Sequence, residues 1–199
     1  YCSGANTQVI AYEGGKYRIF GETLDMGIGN FIDKFARHVG IGFPGGPRIE
    51  KEAKGGKYLD LPYSVKGMDV SFSGMQTKLQ QLFDRKQGSL KDLSFSMQEV
   101  AFAMLVEVAE RAMAHVGKNE LVLGGGVACN SRLQEMCKIM CKERGAEFYC
   151  PAKEFLLDNG GMIAYLGEIM FNSGDYPKNS DDLQVLPRQR TDQVEIKYR

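Results

Sequence analysis

The spacing of apolar residues changes period along the chain, and each change marks an element. Gln8 to Tyr12 and Lys16 to Phe20 are rich in β-branched and aromatic residues, and Glu13-Gly14-Gly15 between them is turn material, so the segment predicts a β-hairpin. From Asn30 to Val39 the period lengthens to about four, with Phe31, Phe35 and Val39 in line and Ile32 beside them, the mark of an amphipathic helix. The glycine- and proline-rich run Gly40 to Pro47 breaks it, and Pro47 is placed to open a short helix reaching about Lys54. Residues 55–72 read as irregular, and a helix follows to about Lys86. The segment Leu90 to Val116 carries two adjacent stripes, Ala101, Leu105, Val108, Ala112 and Leu93, Met97, Val100, Met104, so this long helix is expected to be buried on more than one side. Then come a strand at Glu120 to Leu123, a helix from about Asn130 to Arg144, a strand at Ala146 to Cys150 and a helix from Met162 to Phe171. The remainder is polar, with Val194-Glu195-Ile196 predicted as a terminal strand. The order is a hairpin, a helical block, then two strand–loop–helix units, which is α/β organisation with ligand loops at strand ends.

Composition narrows the class. A length of 199 residues fits one domain or one large lobe of a two-lobed protein, and 43% hydrophobic residues are enough for a core. Lys+Arg and Asp+Glu both number 25, and this zero balance removes the usual electrostatic argument for a free-standing nucleic-acid binder. The 5 cysteines are odd in number and lack CxxC spacing, so they read as reduced structural thiols, with Cys137 and Cys141 four apart on one helix. No apolar run is long enough to span a bilayer and no signal peptide is present, so the expected location is cytoplasmic. The chain opens at Tyr1 without Met, and reads as a piece of a longer one.

Three glycine-containing loops sit at element boundaries: residues 3–7 (SGANT), 123–130 (LGGGVACN) and 157–161 (LDNGG). Backbone amides at a helix start lack intrahelical acceptors, and glycine lets an anion approach them, so the set predicts a phosphate or carboxylate site. Close strand–helix packing also favours glycine, which is the competing explanation. No GK[ST] follows the glycines and the third Gly of GxGxxG is missing, so neither a P-loop nor a Rossmann fingerprint is present. Asp33 and Glu50 are carboxylates close to glycines, suited to ribose hydroxyls, although a helix carboxylate is more often a solvated face. Asp158, at a helix entrance, suits an N-cap or a metal ligand. His38 and His115 stand alone without an HExxH, and no Ser/His/Asp set has supporting spacing, so nothing predicts protease chemistry.

Taken together, YCSGANTQVIAY, FGETLDMGIGNFIDKFAR, GFPGGPRIEK, LPYSVKGMDVSFSGMQT, LVLGGGVACNSRL, LLDNGGMIAYLG and PRQRTDQVEIKYR resemble, in order and nearly end to end, the archaeal and eukaryotic branch of the TsaD family. Members of that branch are the catalytic subunit of the KEOPS complex. The resemblance implies a two-lobed fold of the actin/Hsp70/sugar-kinase (ribonuclease H-like) type with nucleotide between the lobes. This chain then corresponds to the C-terminal lobe, residues 1–175, with core 1–27 and 119–175, a helical insertion at 28–118 and a tail at 176–199. The N-terminal lobe is absent. The implied activity is transfer of threonylcarbamoyl from threonylcarbamoyl-adenylate to N6 of the adenosine 3′ of the tRNA anticodon. An older description, O-sialoglycoprotein endopeptidase, disagrees with the missing protease motifs.

By the same resemblance Asp158 is the catalytic residue and, with Tyr1, a ligand of one divalent metal ion, iron or zinc. Tyr1, Cys2, Ser3, Gly4 and Ala5 form the loop around phosphate and acyl groups. Asp33 and Glu50 bind the ribose, Gly46 lies in the same nucleotide pocket, and Asn130 is a further contact. Two departures stand out. Ala5 replaces a glycine usual in the family, which matters if that position needs φ > 0. The family's His-x-x-x-His metal pair belongs before Tyr1, so this chain holds at most half of the metal site and is expected to be inactive alone. Implied partners are tRNA and the kinase-like and small dimerising subunits of KEOPS, with no membrane. The alternatives are a generic actin-like ATPase or kinase lobe, which shares the fold, and a non-catalytic lobe that docks a kinase-like partner.

Overall fold

The structure, a computed structural model, describes residues 1–179, 181 and 183–198; the parts of the expected tail at Ser180, Asp182 and Arg199 lie outside the described residues. Strands β1 (Gln8–Glu13) and β2 (Lys16–Glu22) form the predicted antiparallel hairpin. Gly14 and Gly15 turn it with φ of 61° and 82°, the left-handed pair that a two-residue hairpin turn matching strand twist requires. Helix α1 (Ile28–His38) buries Phe31, Ile32 and Phe35 as their spacing predicts. Helix α2 (Gly45–Glu52) begins two residues ahead of Pro47, which sits in the first turn, where a missing N–H costs nothing.

The stretch expected to be irregular contains a short hairpin, β3 (Val65–Lys66) and β4 (Asp69–Val70), turned at Gly67 with φ 65°. Two-residue strands leave no periodic signature in a sequence. Helix α3 (Ser73–Asp84) follows, and then α4 (Leu90–Val116) with the bounds that its pattern predicts. Ser89 caps α4 by accepting from the Asp92 amide, and Gly117 ends it in the left-handed conformation at φ 64°. All eight stripe residues of α4 are at most 6% exposed, and Phe102 is fully buried. The cause is packing on several sides: α2, α3, α5, the β1–β2 hairpin and β4 all rest on α4.

Strand β5 (Glu120–Val122), helix α5 (Ser131–Glu143) and strand β6 (Glu147–Tyr149) form a parallel β-α-β unit. Arg132 clamps α5 to α4 through both oxygens of Glu99, at 2.6 and 2.7 Å. The short α6 (Lys153–Leu156) and α7 (Gly160–Asn172) complete the regular elements before a 3-10 turn at Thr191–Gln193. The architecture is mixed α/β. The predicted strand at Val194–Ile196 does not form. An extended segment becomes a strand only when its backbone joins a ladder, and this tail is held instead by side chains, Arg190 to Glu22 at 3.1 Å and Lys197 to Asp175 at 3.4 Å. No helix among the described residues is long and apolar enough to cross a membrane.

One cap could not be read from local sequence. Asp25 accepts the amides of Met26, Phe72 and Ser73 at 2.6–3.1 Å, and also the Ser71 hydroxyl, and so caps α3 from far along the chain. Partial burial pushes its carboxyl up, but the bonds from Phe72, Ser71, Ser73 and Met26 outweigh it and hold the group well below the usual carboxylate range. A carboxyl depressed by folding stabilises the fold above its unfolded pKa of about 4, and that contribution is lost as pH falls below it. Asp25→Ala is therefore expected to cost about 1 kcal/mol at neutral pH, the worth of a helix cap at a solvent-screened position. In urea denaturation the gap to the wild type should close between about pH 5 and pH 2; a gap constant with pH would contradict the assignment.

Candidate functional site

The site grows from the first loop. Ser3 closes a tight turn with Asn6, its amide and hydroxyl both donating to the Asn6 carbonyl at 2.8 and 3.0 Å. The loop then caps α1: Ile28 N–H donates to the Thr7 hydroxyl at 2.8 Å, Gly29 N–H to Ser3 O at 3.0 Å and Asn30 N–H to Gly4 O at 2.9 Å. Such close contact needs glycine, because a Cβ on Gly27 would lie 2.4 Å from Gly4 O. The helix-start amides predicted to cradle an anion are thus satisfied internally. Ala5 is not in the left-handed region, since Lys86 alone among the described non-glycine residues has positive φ. The departure from glycine at this position therefore carries no backbone strain.

The 123–130 loop is built against the first one. Cys2 N–H donates to Gly124 O at 2.8 Å, and Val127 N–H donates to Cys2 O at 3.0 Å. Gly125 has φ 91°, and a Cβ there would sit 2.4 Å from Cys2 O. A 3-10 turn (Gly126–Cys129) intervenes before α5, so the glycines do not open the helix directly as the sequence suggests. The α5 start is also occupied. The Asn130 Oδ1 accepts from Arg132 and Leu133 N–H at 2.9 and 3.3 Å, and its Nδ2 donates to Gln98 at 2.7 Å. Ser131 N–H donates to Glu50 Oε1 at 2.8 Å. The amides of Gly125, which is buried, and Gly126, which is half-buried, have no hydrogen-bond partner among the described residues, so these loop amides, not the helix starts, are left without an internal acceptor.

The predicted ribose carboxylates lie along the same edge. Asp33 Oδ1 accepts the Gly45 N–H at 2.7 Å and so starts α2. Gly45 is wedged between Ala36 and Asp33, whereas a Cβ on Gly46 would meet only open space. Asn30 precedes Asp33 by three residues on α1, and its Oδ1 lies 3.5 Å from the Cβ position of Gly4. Ser3 and Gly4 thus hold the α1 start at Gly29 and Asn30, Asp33 of the same helix holds Gly45 beside Gly46, and Glu50 of α2 holds Ser131 beside Asn130. Tyr1 and Asp158 flank the glycine loop: the Tyr1 ring is 3.7 Å from the Cβ position of Gly124, and the side chain of Leu157, next to Asp158, is 3.6 Å from that of Gly126.

Asp158 is exposed and does not cap α7; Asn159 does, accepting the Met162 N–H at 3.0 Å. Of the two roles its position suits, capping is removed. Tyr1 and Asp158 offer two exposed oxygen donors near one loop, which fit part of a metal's coordination sphere. Among the described residues no three His, Cys, Asp or Glu side chains gather to supply more. The cysteines are free, and burial pushes the Cys2 thiol up and the Cys137 thiol up to about 12, so both are inert packing groups. His38 pairs with Asp84 at 2.8 Å and His115 packs on Phe20, away from the site. Sequence reasoning missed Thr7, Asn159 and Gln98; only Asn159, directly before a glycine-led helix, carried a local signal.

Comparison with known proteins now bears on this geometry. Residues 1–165 match the family model TsaD, described as tRNA N6-adenosine threonylcarbamoyltransferase. A Thermococcus gammatolerans protein named tRNA N6-adenosine threonylcarbamoyltransferase is 56% identical over all of this chain and 61% of its own length. A Thermococcus kodakarensis protein of the same name is 57% identical over 98% of this chain and 60% of its own length. A Methanosarcina barkeri protein named probable bifunctional tRNA threonylcarbamoyladenosine biosynthesis protein is 54% identical over all of this chain and 36% of its own. The chain thus spans about three-fifths of the length of its single-function relatives. Among solved structures, T. kodakarensis HypF superposes with TM-score 0.60 at 19% identity over 77% of this chain and 21% of its own, a likeness of fold alone. With the family model covering most of its length, the chain belongs to the TsaD family, the tRNA N6-adenosine threonylcarbamoyltransferases.

Proposed function

We propose that this chain is the nucleotide-facing C-terminal lobe of an actin-like enzyme that transfers threonylcarbamoyl from threonylcarbamoyl-adenylate to N6 of the adenosine 3′ of the tRNA anticodon. The observation that carries the reading is the continuity of one face. Ser3 and Gly4 join α1 at Gly29 and Asn30, Asp33 of that helix joins α2 at Gly45 beside Gly46, Glu50 of α2 joins the α5 start at Ser131 beside Asn130, and the 124–126 loop lies against Tyr1 and against Leu157, the neighbour of Asp158. In the reaction N6 bonds to the carbamoyl carbon, the bond from that carbon to the phosphate oxygen breaks, AMP leaves, and N6 gives up a proton. Asp33 keeps Oδ2 and Glu50 keeps Oε2 for ribose hydroxyls, because their other oxygens hold Gly45 and Ser131. The Gly125 and Gly126 amides are placed to stabilise charge on the leaving phosphate. Tyr1 and Asp158 would hold one divalent ion, iron or zinc, whose chemistry is to polarise the acyl carbonyl.

The partners we assign are tRNA and the kinase-like and small dimerising subunits of a KEOPS-type complex in the cytoplasm; the tRNA threonylcarbamoyladenosine named for the relatives supports the tRNA. The test is to incubate full-length protein and partner subunits with threonylcarbamoyl-adenylate and tRNA, then digest the tRNA and weigh its nucleosides. Threonylcarbamoyladenosine should form with AMP, and the 199-residue chain alone should give none. ATP turnover on a small acceptor without modified nucleoside would favour the kinase reading.

A further inference from the structure

The loop between α1 and α2 presents an aromatic ring to solvent. Phe43 is 70% exposed, more than any other aromatic side chain among the described residues. The backbone that carries it is braced. Gly40 N–H donates to Arg37 O at 3.2 Å, and Ile41 and Gly42 N–H donate to Ala36 O at 2.8 and 3.3 Å. Gly40 and Gly42 take φ of 80° and 82°, which lets the chain fold back on α1. Two residues after Phe43, the Asp33 carboxylate holds the Gly45 amide at 2.7 Å. The ring is therefore held out by a tied loop.

Cations gather at the same corner. Arg48 of α2 donates to Ile41 O, and its guanidinium lies 3.6 Å from the Cβ position of Gly42, the residue before Phe43. Lys51 follows Arg48 by three residues on α2 and so shares its face. Arg37 adjoins Ala36, where the loop is tied. These three side chains are exposed, and none has a carboxylate partner among the described residues. From Lys34 to Lys57 the only exposed carboxylate is Glu52, because Glu50 is half-buried and accepts from Ser131. The chain as a whole is neutral, so this corner is a local excess of positive charge.

We infer that Phe43 is a stacking platform for an unpaired base of the tRNA substrate, and that Arg37, Arg48 and Lys51 hold the phosphates beside that base. The inference rests on the acyl transfer proposed above. An aromatic face accepts any base, and neighbouring cations accept the backbone, which is the combination that binds single-stranded nucleic acid. The place suits a positioning role. The loop runs directly into Gly45 and Gly46, beside Asp33, so a base on Phe43 lies at the rim of the nucleotide site. The adenylate is a poorer occupant: it carries one phosphate, to which the Gly125 and Gly126 amides are assigned, whereas three cations without carboxylate partners match a polyanion. An apolar protein surface is poorer still, because covering Phe43 would strip water from those cations and supply no counter-charge.

The test uses the full-length protein with its partner subunits and measures initial rates while tRNA and threonylcarbamoyl-adenylate are varied separately. Phe43→Ala should raise the KM for tRNA on the order of 10-fold, and leave kcat and the KM for the adenylate within about twofold. Its melting temperature should not change, because so exposed a ring leaves no cavity. Phe43→Tyr keeps the ring and should restore the wild-type KM. Lys51→Gln should also raise the KM for tRNA, and should reduce its salt dependence by about one counterion. An unchanged tRNA KM in an active Phe43→Ala enzyme overturns the inference and leaves the transferase reading intact. A KM raised for the adenylate alone would give the ring to the adenine of that ligand, and loss of a partner subunit from the purified complex would give it to a protein contact; either result overturns the inference. A wild-type enzyme that makes no threonylcarbamoyladenosine would overturn the functional reading and this inference with it.

Discussion

Asp158→Ala in the full-length protein should lower tRNA modification by at least about 100-fold while leaving the melting temperature unchanged, the scale expected when several kcal/mol of carbonyl polarisation are lost. The two halves of this expectation have separate causes. Asp158 is exposed, and no hydrogen bond among the described residues uses its carboxylate, so its removal should cost the fold within about 0.5 kcal/mol. Its neighbour supplies the contrast. Asn159 accepts the Met162 N–H and donates to Leu157 O, so Asn159→Ala should cost about 1 kcal/mol as a lost N-cap. A stable but inactive Asp158→Ala beside a less stable Asn159→Ala would separate chemistry from capping at adjacent positions. Bound metal, measured in the same preparations, should fall with Asp158→Ala and hold with Asn159→Ala. Full activity in Asp158→Ala would remove this residue from the site.

The same contrast shows what the sequence could and could not convey. The two stripes of α4 were legible because burial on several sides imposes a helical period over 27 residues, and all eight stripe positions are buried. The hairpin was legible because Gly14-Gly15 supplies a turn that few residues can make. Caps made across the fold were not: Asp25 reaches the α3 start from 47 residues away, and Glu50 reaches Ser131 from 81 away. Nothing local marks such an acceptor. The glycine loops were legible as sites of close approach, but not as to what approaches. At Gly27 and Gly125 the neighbour is backbone of the first loop, and the amides without an internal acceptor are those of Gly125 and Gly126. The tail misled because β-prone residues suggest a strand whether or not an edge stands ready to pair with them.

Gly125→Ala is expected to cost about 3 kcal/mol or more, or to leave the chain unable to fold, since two penalties act together. The residue holds φ 91°, where a Cβ is strained. That Cβ would also lie 2.4 Å from Cys2 O and 2.7 Å from Cys2 C. Cys2 cannot yield cheaply, because its N–H is held by Gly124 O and its carbonyl by Val127 N–H. The flanking glycines grade the effect. A Cβ on Gly124 would meet the Tyr1 ring at 3.7 Å and one on Gly126 the Leu157 side chain at 3.6 Å, both ordinary contacts without positive φ. Gly124→Ala and Gly126→Ala should therefore stay within about 1 kcal/mol of the wild type. Urea denaturation of the three variants checks the order, and equal stability across them would refute the collision. Because Cys2 and Gly125 are locked backbone to backbone, the substitution also moves the first loop, and with it the Ser3 and Gly4 carbonyls that cap α1. Destabilisation at a residue far from α1 in sequence should then appear as faster amide exchange at Gly29 and Asn30.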